Sequence, residues 1–247
     1  NLQQNITKES DPVHKDIIQE NSLIGRLHKY FLAYFETFSV PTAETLFLLV
    51  LSILALKSAH SIKFLYQHFL AGITEKSLNT FYHACSYAKA DYSRFMNVTA
   101  KMALHLIPEQ LKSQPVFLCI DDTIISKFGT KFENVSKLFD HATHNGCNYL
   151  NGHCFVSLML CVPVWNHDKI SYFAVRYDTH VAKKESKLEL AASMVRHVMP
   201  EFSSQKNVII LCDSWYTKQN LVSIVKEYPN LDLIENARAD SIIYDHL

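Results

Sequence analysis

Apolar positions fall into two textures along this chain, and the change comes at Ser113-Gln114-Pro115. Ahead of it they recur at helical spacing. Over residues 22–38 they are Leu23, Leu27, Phe31, Tyr34, Phe35 and Phe38, one stripe of a 3.6-residue period. Val40-Pro41 ends that helix and opens another, because proline is tolerated in a first turn. The second helix, running to residue 57, is apolar on nearly every side, which predicts a central place in a bundle. Next comes a pair: residues 60–70, a turn at Ala71-Gly72-Ile73, then residues 74–90. One more helix, residues 93–106, stops ahead of Pro108. Residues 1–20 are polar and aperiodic and predict a loose arm or frayed helix.

Beyond Pro115 the pattern turns to short apolar runs. Val116-Phe117-Leu118-Cys119-Ile120 is unbroken and stops at Asp121-Asp122-Thr123. Such a run fits a strand buried on both faces. Val208-Ile209-Ile210-Leu211-Cys212 repeats the pattern and stops at Asp213. Between the two, residues 126–151 are rich in Lys, Asn, Gly and His and read as a long exposed connection. Runs at 154–164 and 170–177 flank the polar Asn166-His167-Asp168-Lys169, a hairpin pattern. Residues 183–199 form an amphipathic helix with Leu188, Ala191, Ala192, Val195, Val198 and Met199 on one side. Residues 217–228 predict another helix and residues 231–234 a last strand.

The order is therefore β-β-β-α-β-α-β. Three strands joined without helices exclude a doubly wound dinucleotide fold, which alternates from the start. They match the ribonuclease-H-like order, in which strands one and four are neighbours. The expectation is an α+β chain in two parts: an α-helical bundle over residues 1–112 and a ribonuclease-H-like mixed sheet over 113–247. Carboxylates at strand ends lie at the mouth of a sheet, where α/β proteins place their chemistry. Asp121 and Asp213 would meet there although 92 residues separate them.

Composition narrows the classes. Among 247 residues 48% are apolar, with five Gly and seven Pro, enough for a sizeable core. Lys+Arg and Asp+Glu balance at 24 each, with 11 basic and 9 acidic residues up to 112 and 13 and 15 after it. Neither part has the charge of a protein living mainly on phosphate contacts, although a local basic face fits a neutral total. Six cysteines include no CxxC. Cys119, Cys161 and Cys212 lie in apolar runs and read as small buried hydrophobes, which points to a reducing cytoplasm. The longest uncharged apolar run, residues 46–56, is too short to span a bilayer, so no membrane role is expected. The first residue is Asn, and an earlier natural start is expected.

Several constellations could carry chemistry. The pair at residues 60–90 resembles a helix-turn-helix. Its second helix would show Lys76, Asn79, Thr80, His83 and Ser86, a set able to contact DNA. The plainer alternative is an αα-hairpin with a solvated face. Asp140, His141, His144, Cys147, His153 and Cys154 offer metal donors without the paired spacing of a closed zinc site. A phosphotransferase with strand-end aspartates is a further alternative. The haloacid-dehalogenase type needs Asp-x-Asp and a parallel sheet, whereas these two acids are adjacent.

Four stretches carry a family likeness: Ile120-Asp121-Asp122-Thr123, Gly152-His153, Leu211-Cys212-Asp213-Ser214-Trp215-Tyr216, and Glu235-Asn236-Ala237-Arg238-Ala239-Asp240 with Tyr244-Asp245. In this order they resemble bacterial insertion-sequence transposases of the DDE superfamily, over residues 116–247. The helical part lies where that family carries its DNA-binding helices. The resemblance implies metal-dependent DNA strand cleavage and strand transfer at transposon ends. It also implies transposon-end and target DNA as partners, and a homo-oligomer assembled on DNA.

The family's catalytic set is Asp, Asp and Glu holding two divalent ions, Mg²⁺ or Mn²⁺. The first Asp falls on Asp121 and the second on Asp213. Hard oxygen ligands suit Mg²⁺, and two such ions activate a water or 3′-hydroxyl and stabilise the leaving oxygen. Adjacent strand residues point to opposite faces, so one acid of the pair joins Asp213. Asp121 is the expected ligand, with Asp122 as its substitute or as a strand-end hydrogen-bond acceptor. The family's Tyr-x2-Arg-x3-Glu-x6-Lys context for the third acid has no match here. Glu235 sits at a strand end, and Asp240 and Asp245 lie where the family continues toward a basic segment. The expectation is a sheet incomplete at its carboxyl end, in a chain that stops before the catalytic Glu. That leaves a second reading, a catalytically inactive remnant that only binds DNA or partners.

Overall fold

A computed structural model describes residues 22–56, 61–129, 131, 133–139, 148–182, 185–216 and 219–235. The arm expected over residues 1–20 lies outside them. The chain divides into two compact units, residues 1–98 and 99–247. The division falls inside a helix, Tyr92–His105, rather than at the change of texture near Pro115.

The first unit holds α1 (Leu23–Phe35), α2 (Val40–Ala55), α3 (Ile62–His68) and α4 (Leu78–Tyr87). Serines start two of them: Ser22 Oγ accepts from Gly25 N at 2.9 Å, and Ser61 Oγ from Phe64 N at 3.1 Å. Helix α2 supplies Phe47, Leu48 and Leu51 to a core completed by Leu65, Leu70 and Phe81. Its buried polar groups are satisfied locally, Thr45 by the Pro41 carbonyl and Ser52 by that of Leu49. The helix pair is shorter than its periodicity suggests. A 3-10 turn at Leu70–Gly72 comes after α3, and residues 74–77 are non-helical. The next helix, α5 (Tyr92–His105), crosses the division between the units.

In the second unit, six strands form one mixed sheet: β1 (Val116–Ser126), β2 (Ser136–Phe139), β3 (Tyr149–Asn166), β4 (Lys169–Val181), β5 (Val208–Cys212) and β6 (Leu231–Glu235). Strand β3 pairs antiparallel with β1, β2 and β4. Parallel pairs join β1 to β5 and β5 to β6. The 126–151 stretch is not wholly a connection as its composition suggests. It contains β2 and the start of β3, while residues 140–147 lie outside the described residues. Strand β2 has four residues, of which only Leu138 and Phe139 are apolar, so it escapes an apolar-run criterion. Gly152 faces Ser126 on one side and Ser136 on the other. A Cβ there would lie 2.4 Å from the Ile125 carbonyl oxygen, so this three-strand junction requires glycine.

One face of the sheet is closed. Val116, Leu118, Ile120, Val156, Leu158, Leu160, Val208 and Ile210 are buried on it. Helix α6 (Lys187–Val198) packs on β1 and β3, and α7 (Gln219–Val225) on α6 and β6. Ser186 and Glu189 form a reciprocal capping box at the start of α6, the Ser186 hydroxyl and the Glu189 carboxylate each accepting from an amide. On the opposite face Phe117, Cys119, Ile209 and Leu211 are only half-buried, so β1 is not buried on both sides as expected. That changes the cysteines. Cys119, Cys161 and Cys212 are half-buried, the first two with sulfurs 3.6 Å apart, and Cys154 is the one on the closed face that is fully buried. Among the described residues no helix is long and apolar enough to cross a membrane.

Candidate active site

The parallel register of β1 on β5 runs from Val116 opposite Val208 to Ile120 opposite Cys212. One residue beyond the last pair stand Asp121 and Asp213, and both are exposed. Alternation puts Asp121 on the face of Phe117 and Cys119, the open one. Each carboxylate accepts from a nearby amide: Asp121 Oδ1 from Asp122 N at 2.8 Å, and Asp213 Oδ1 from Trp215 N at 3.1 Å. The register thus brings a mid-strand acid of β1, just past its parallel pairing, and the acid that follows β5 to neighbouring positions.

Asp122 turns the other way and lies on the closed face with Ile120. It accepts the Tyr216 hydroxyl on Oδ1 at 3.0 Å and the Lys187 ammonium on Oδ2 at 2.7 Å. The buried Cys154 thiol donates to Oδ2 at 3.5 Å. Lys187 also lies 4.8 Å from the Trp215 ring centre. Burial works against the Lys187 charge, but the Asp122 hydrogen bond and charge outweigh it and raise its pKa. Burial, then the Asp122 charge, pushes the Tyr216 hydroxyl far above its ordinary value. Burial chiefly pushes the Cys154 thiol up to about 11. The closed-face acid is therefore saturated by protein partners.

Sequence reasoning missed both of these donors. Tyr216 stands out only as the last residue of the Leu211–Tyr216 stretch, and Lys187 only as part of an amphipathic helix. One signal was available. A lysine in the first turn faces the positive end of the helix dipole, an unfavourable place unless an acid from elsewhere offsets it. Asp122, 65 residues earlier, is that acid.

Among the described residues no third acid joins the pair. Glu235 is opposite Cys212, on the closed-face side of the sheet, with its Oε2 at 4.0 Å from the Cys212 sulfur. Asp240 and Asp245 lie outside the described residues, as do Asp140, His141, His144 and Cys147 of the zinc reading. His153 Nε2 sits 2.6 Å from the Glu133 carbonyl. No group of three His, Cys, Asp or Glu able to hold a metal occurs among the described residues. Asp121 and Asp213, exposed carboxylates one residue past the last β1–β5 pair, are the hard oxygen donors that suit a divalent ion. A cavity of about 470 Å³ lies elsewhere, at the amino ends of β1 and β5 between Ser113, Phe202 and Lys206.

In the first unit Asn79 and His83 are exposed on α4, with His83 stacked near Tyr87 at 5.2 Å. Thr80 is half-buried and its hydroxyl is 3.1 Å from that of Ser77. Lys76 is ahead of the helix rather than on it, and its ammonium faces Glu44 at 4.0 Å.

A family model described as DDE superfamily endonuclease matches residues 35–246. No curated protein matches the chain.

Proposed function

The chain belongs to the DDE superfamily endonuclease family, and on that footing we propose that it is a bacterial insertion-sequence transposase. Its activity would be metal-dependent strand cleavage and strand transfer at transposon ends. The observation that supports the reading is the β1–β5 register ending at Ile120 opposite Cys212, each one residue before an exposed acid, Asp121 and Asp213. The strand order β4-β3-β1-β5-β6 supports a ribonuclease-H-like core, with strands one and four of the five long strands adjacent. An antiparallel β1–β3 pair argues against the phosphotransferase alternative, which needs a parallel sheet.

Asp121 and Asp213 would hold Mg²⁺ or Mn²⁺, two ions in the complete site, supplying nucleophile activation and leaving-group stabilisation. The chain's own part is geometric. Antiparallel pairing with Ser157 holds the backbone of Asp121, β5 pairing holds the chain up to the residue before Asp213, and both acids are exposed to an incoming phosphodiester. Residues 1–112 are proposed to carry DNA-contacting helices, with Asn79, Thr80 and His83 on α4 and Lys76 just ahead of it. Transposon-end and target DNA are the partners, bound by a homo-oligomer. The free thiols Cys119 and Cys161 at 3.6 Å fit a reducing cytoplasm.

The absence of a third acid beside the pair, among the described residues, favours a second reading: a remnant that binds DNA without cutting it. Nicking of DNA carrying the inverted repeats that flank its own reading frame separates the two. The natural protein is expected to nick in Mg²⁺ or Mn²⁺, and Asp121→Ala and Asp213→Ala to lose roughly a thousandfold, as when a transition-state electrostatic group is removed. Gel-shift binding without Asp-dependent nicking would replace the enzyme by the remnant.

A further inference from the structure

We infer that Asp122 is a positioning residue: together with Tyr216 and Lys187 it clamps the turn carrying Asp213 onto the strand carrying Asp121. The functional meaning of this clamp rests on the reading of Asp121 and Asp213 as the paired carboxylates. Strand β5 ends at Cys212, one residue before Asp213. The chain then enters a tight turn. Tyr216 N donates to the Asp213 carbonyl at 3.1 Å and Trp215 N to its carboxylate at 3.1 Å. Residues 213–216 are therefore tied together by two hydrogen bonds. The far end of that turn is Tyr216, fully buried, with its hydroxyl on Asp122 Oδ1.

Lys187 secures the same turn from a second side. Its ammonium bonds Asp122 Oδ2 and lies against the Trp215 ring. Segments 65 and 94 residues away from Asp122 converge on one carboxylate. The chemistry explains why an acid stands there. Two oxygens serve different donors, a hydroxyl on one and an ammonium with a thiol on the other. Asparagine has one acceptor oxygen, and its amide NH₂ would confront either the ammonium or the phenol. The adjacent acids of the Asp121-Asp122 pair thus divide the work: one faces the reacting side, the other sets the position of the partner 92 residues away.

Trp215 reports on this clamp. The chain has two tryptophans, so Trp165→Phe in the full chain leaves Trp215 alone. Acrylamide quenching of Trp215, without metal or DNA, is measured first, and Mn²⁺ affinity and nicking second. Asp122→Asn and Tyr216→Phe are expected to raise quenching and red-shift emission while circular dichroism stays native. Both should weaken Mn²⁺ binding by about tenfold, the scale of one lost charge-assisted hydrogen bond. Lys187→Met should resemble them, and Lys187→Arg should restore native quenching. Asp121→Asn and Asp213→Asn should abolish Mn²⁺ binding yet leave Trp215 quenching unchanged or nearly so. Because Tyr216→Phe removes one oxygen and keeps the ring, it stays folded even where an Asp122 variant does not. Unchanged quenching and Mn²⁺ affinity in Tyr216→Phe and Asp122→Asn would overturn the clamp. Loss of nicking in Asp122→Asn with native quenching would overturn it too, by placing Asp122 at the reacting atoms. If Asp121→Asn and Asp213→Asn keep full nicking, the transposase reading fails, whereas altered quenching in Tyr216→Phe would still establish the clamp.

Discussion

The two faces of the central sheet carry one acid each from the same dipeptide, and their surroundings are opposite in kind. On the closed face Asp122 is held by an ammonium, a buried phenol and a buried thiol. On the open face Asp121 is exposed, and beside it Asp213 is exposed as well. A carboxylate whose oxygens are occupied by protein donors contributes to folding. One left exposed is available for binding. The strand's two-residue alternation converts a single chemical type into both roles.

The strongest way to break this contrast is to cut into each face. Leu160 is fully buried on the closed face, so Leu160→Ala should cost roughly 2–5 kcal/mol in urea unfolding. Phe117 is half-buried on the open face against Tyr172, ring centres 4.7 Å apart, and Phe117→Ala should cost visibly less than Leu160→Ala. Equal losses would show that the open face is covered in solution.

Next in size is the dipeptide itself. Asp122→Asn should cost about 1–3 kcal/mol by leaving a partly buried donor unpaired. Asp121→Asn should stay within about 0.5 kcal/mol, as exposed substitutions do. Reversed values would exchange the roles assigned to the two acids. A steric probe comes third. Gly152→Ala should destabilise the β1–β3–β2 junction through the Ile125 carbonyl clash, read as faster amide exchange in residues 123–126 and 149–153 than elsewhere in the sheet.

The smallest effect is alkaline. Burial raises the Cys154 thiol from 9.0 to about 11, and the Lys187 and Tyr216 pKa values are raised as well. A raised folded-state pKa means that the folded protein holds the proton more tightly. Its stabilising share is complete below the unfolded value and is lost as pH climbs through the folded one. Urea midpoints should therefore hold near neutral pH and decline from pH 9 to about 11. Cys154→Ala should flatten part of that decline; an unchanged slope would remove the thiol from the account.

Much of this was legible from residues alone. The run from Val116 to Ile120 announced a strand, but where its acids suggested a strand end β1 continues through them to Ser126, paired with β3. The stripe in residues 183–199 announced α6, and the all-round apolar character of the second helix announced the central place of α2. What escaped was polar or non-local. Strand β2 has no apolar run to reveal it, and Lys76 drops off the helix because residues 74–77 never become helical. Lys187 and Tyr216 looked ordinary, since what matters about them is a partner 65 or 94 residues away.

By itself the sequence determined which segments become strands and helices, because periodicity and apolar runs act over a few residues. It also determined that Asp121 and Asp122 must face opposite ways, a consequence of backbone geometry. Only the tertiary structure decided which of them lies on the open face of the sheet. That choice depends on which side of the sheet α6 covers and on the register of β1 against β5, and both are set by packing between segments far apart in the chain.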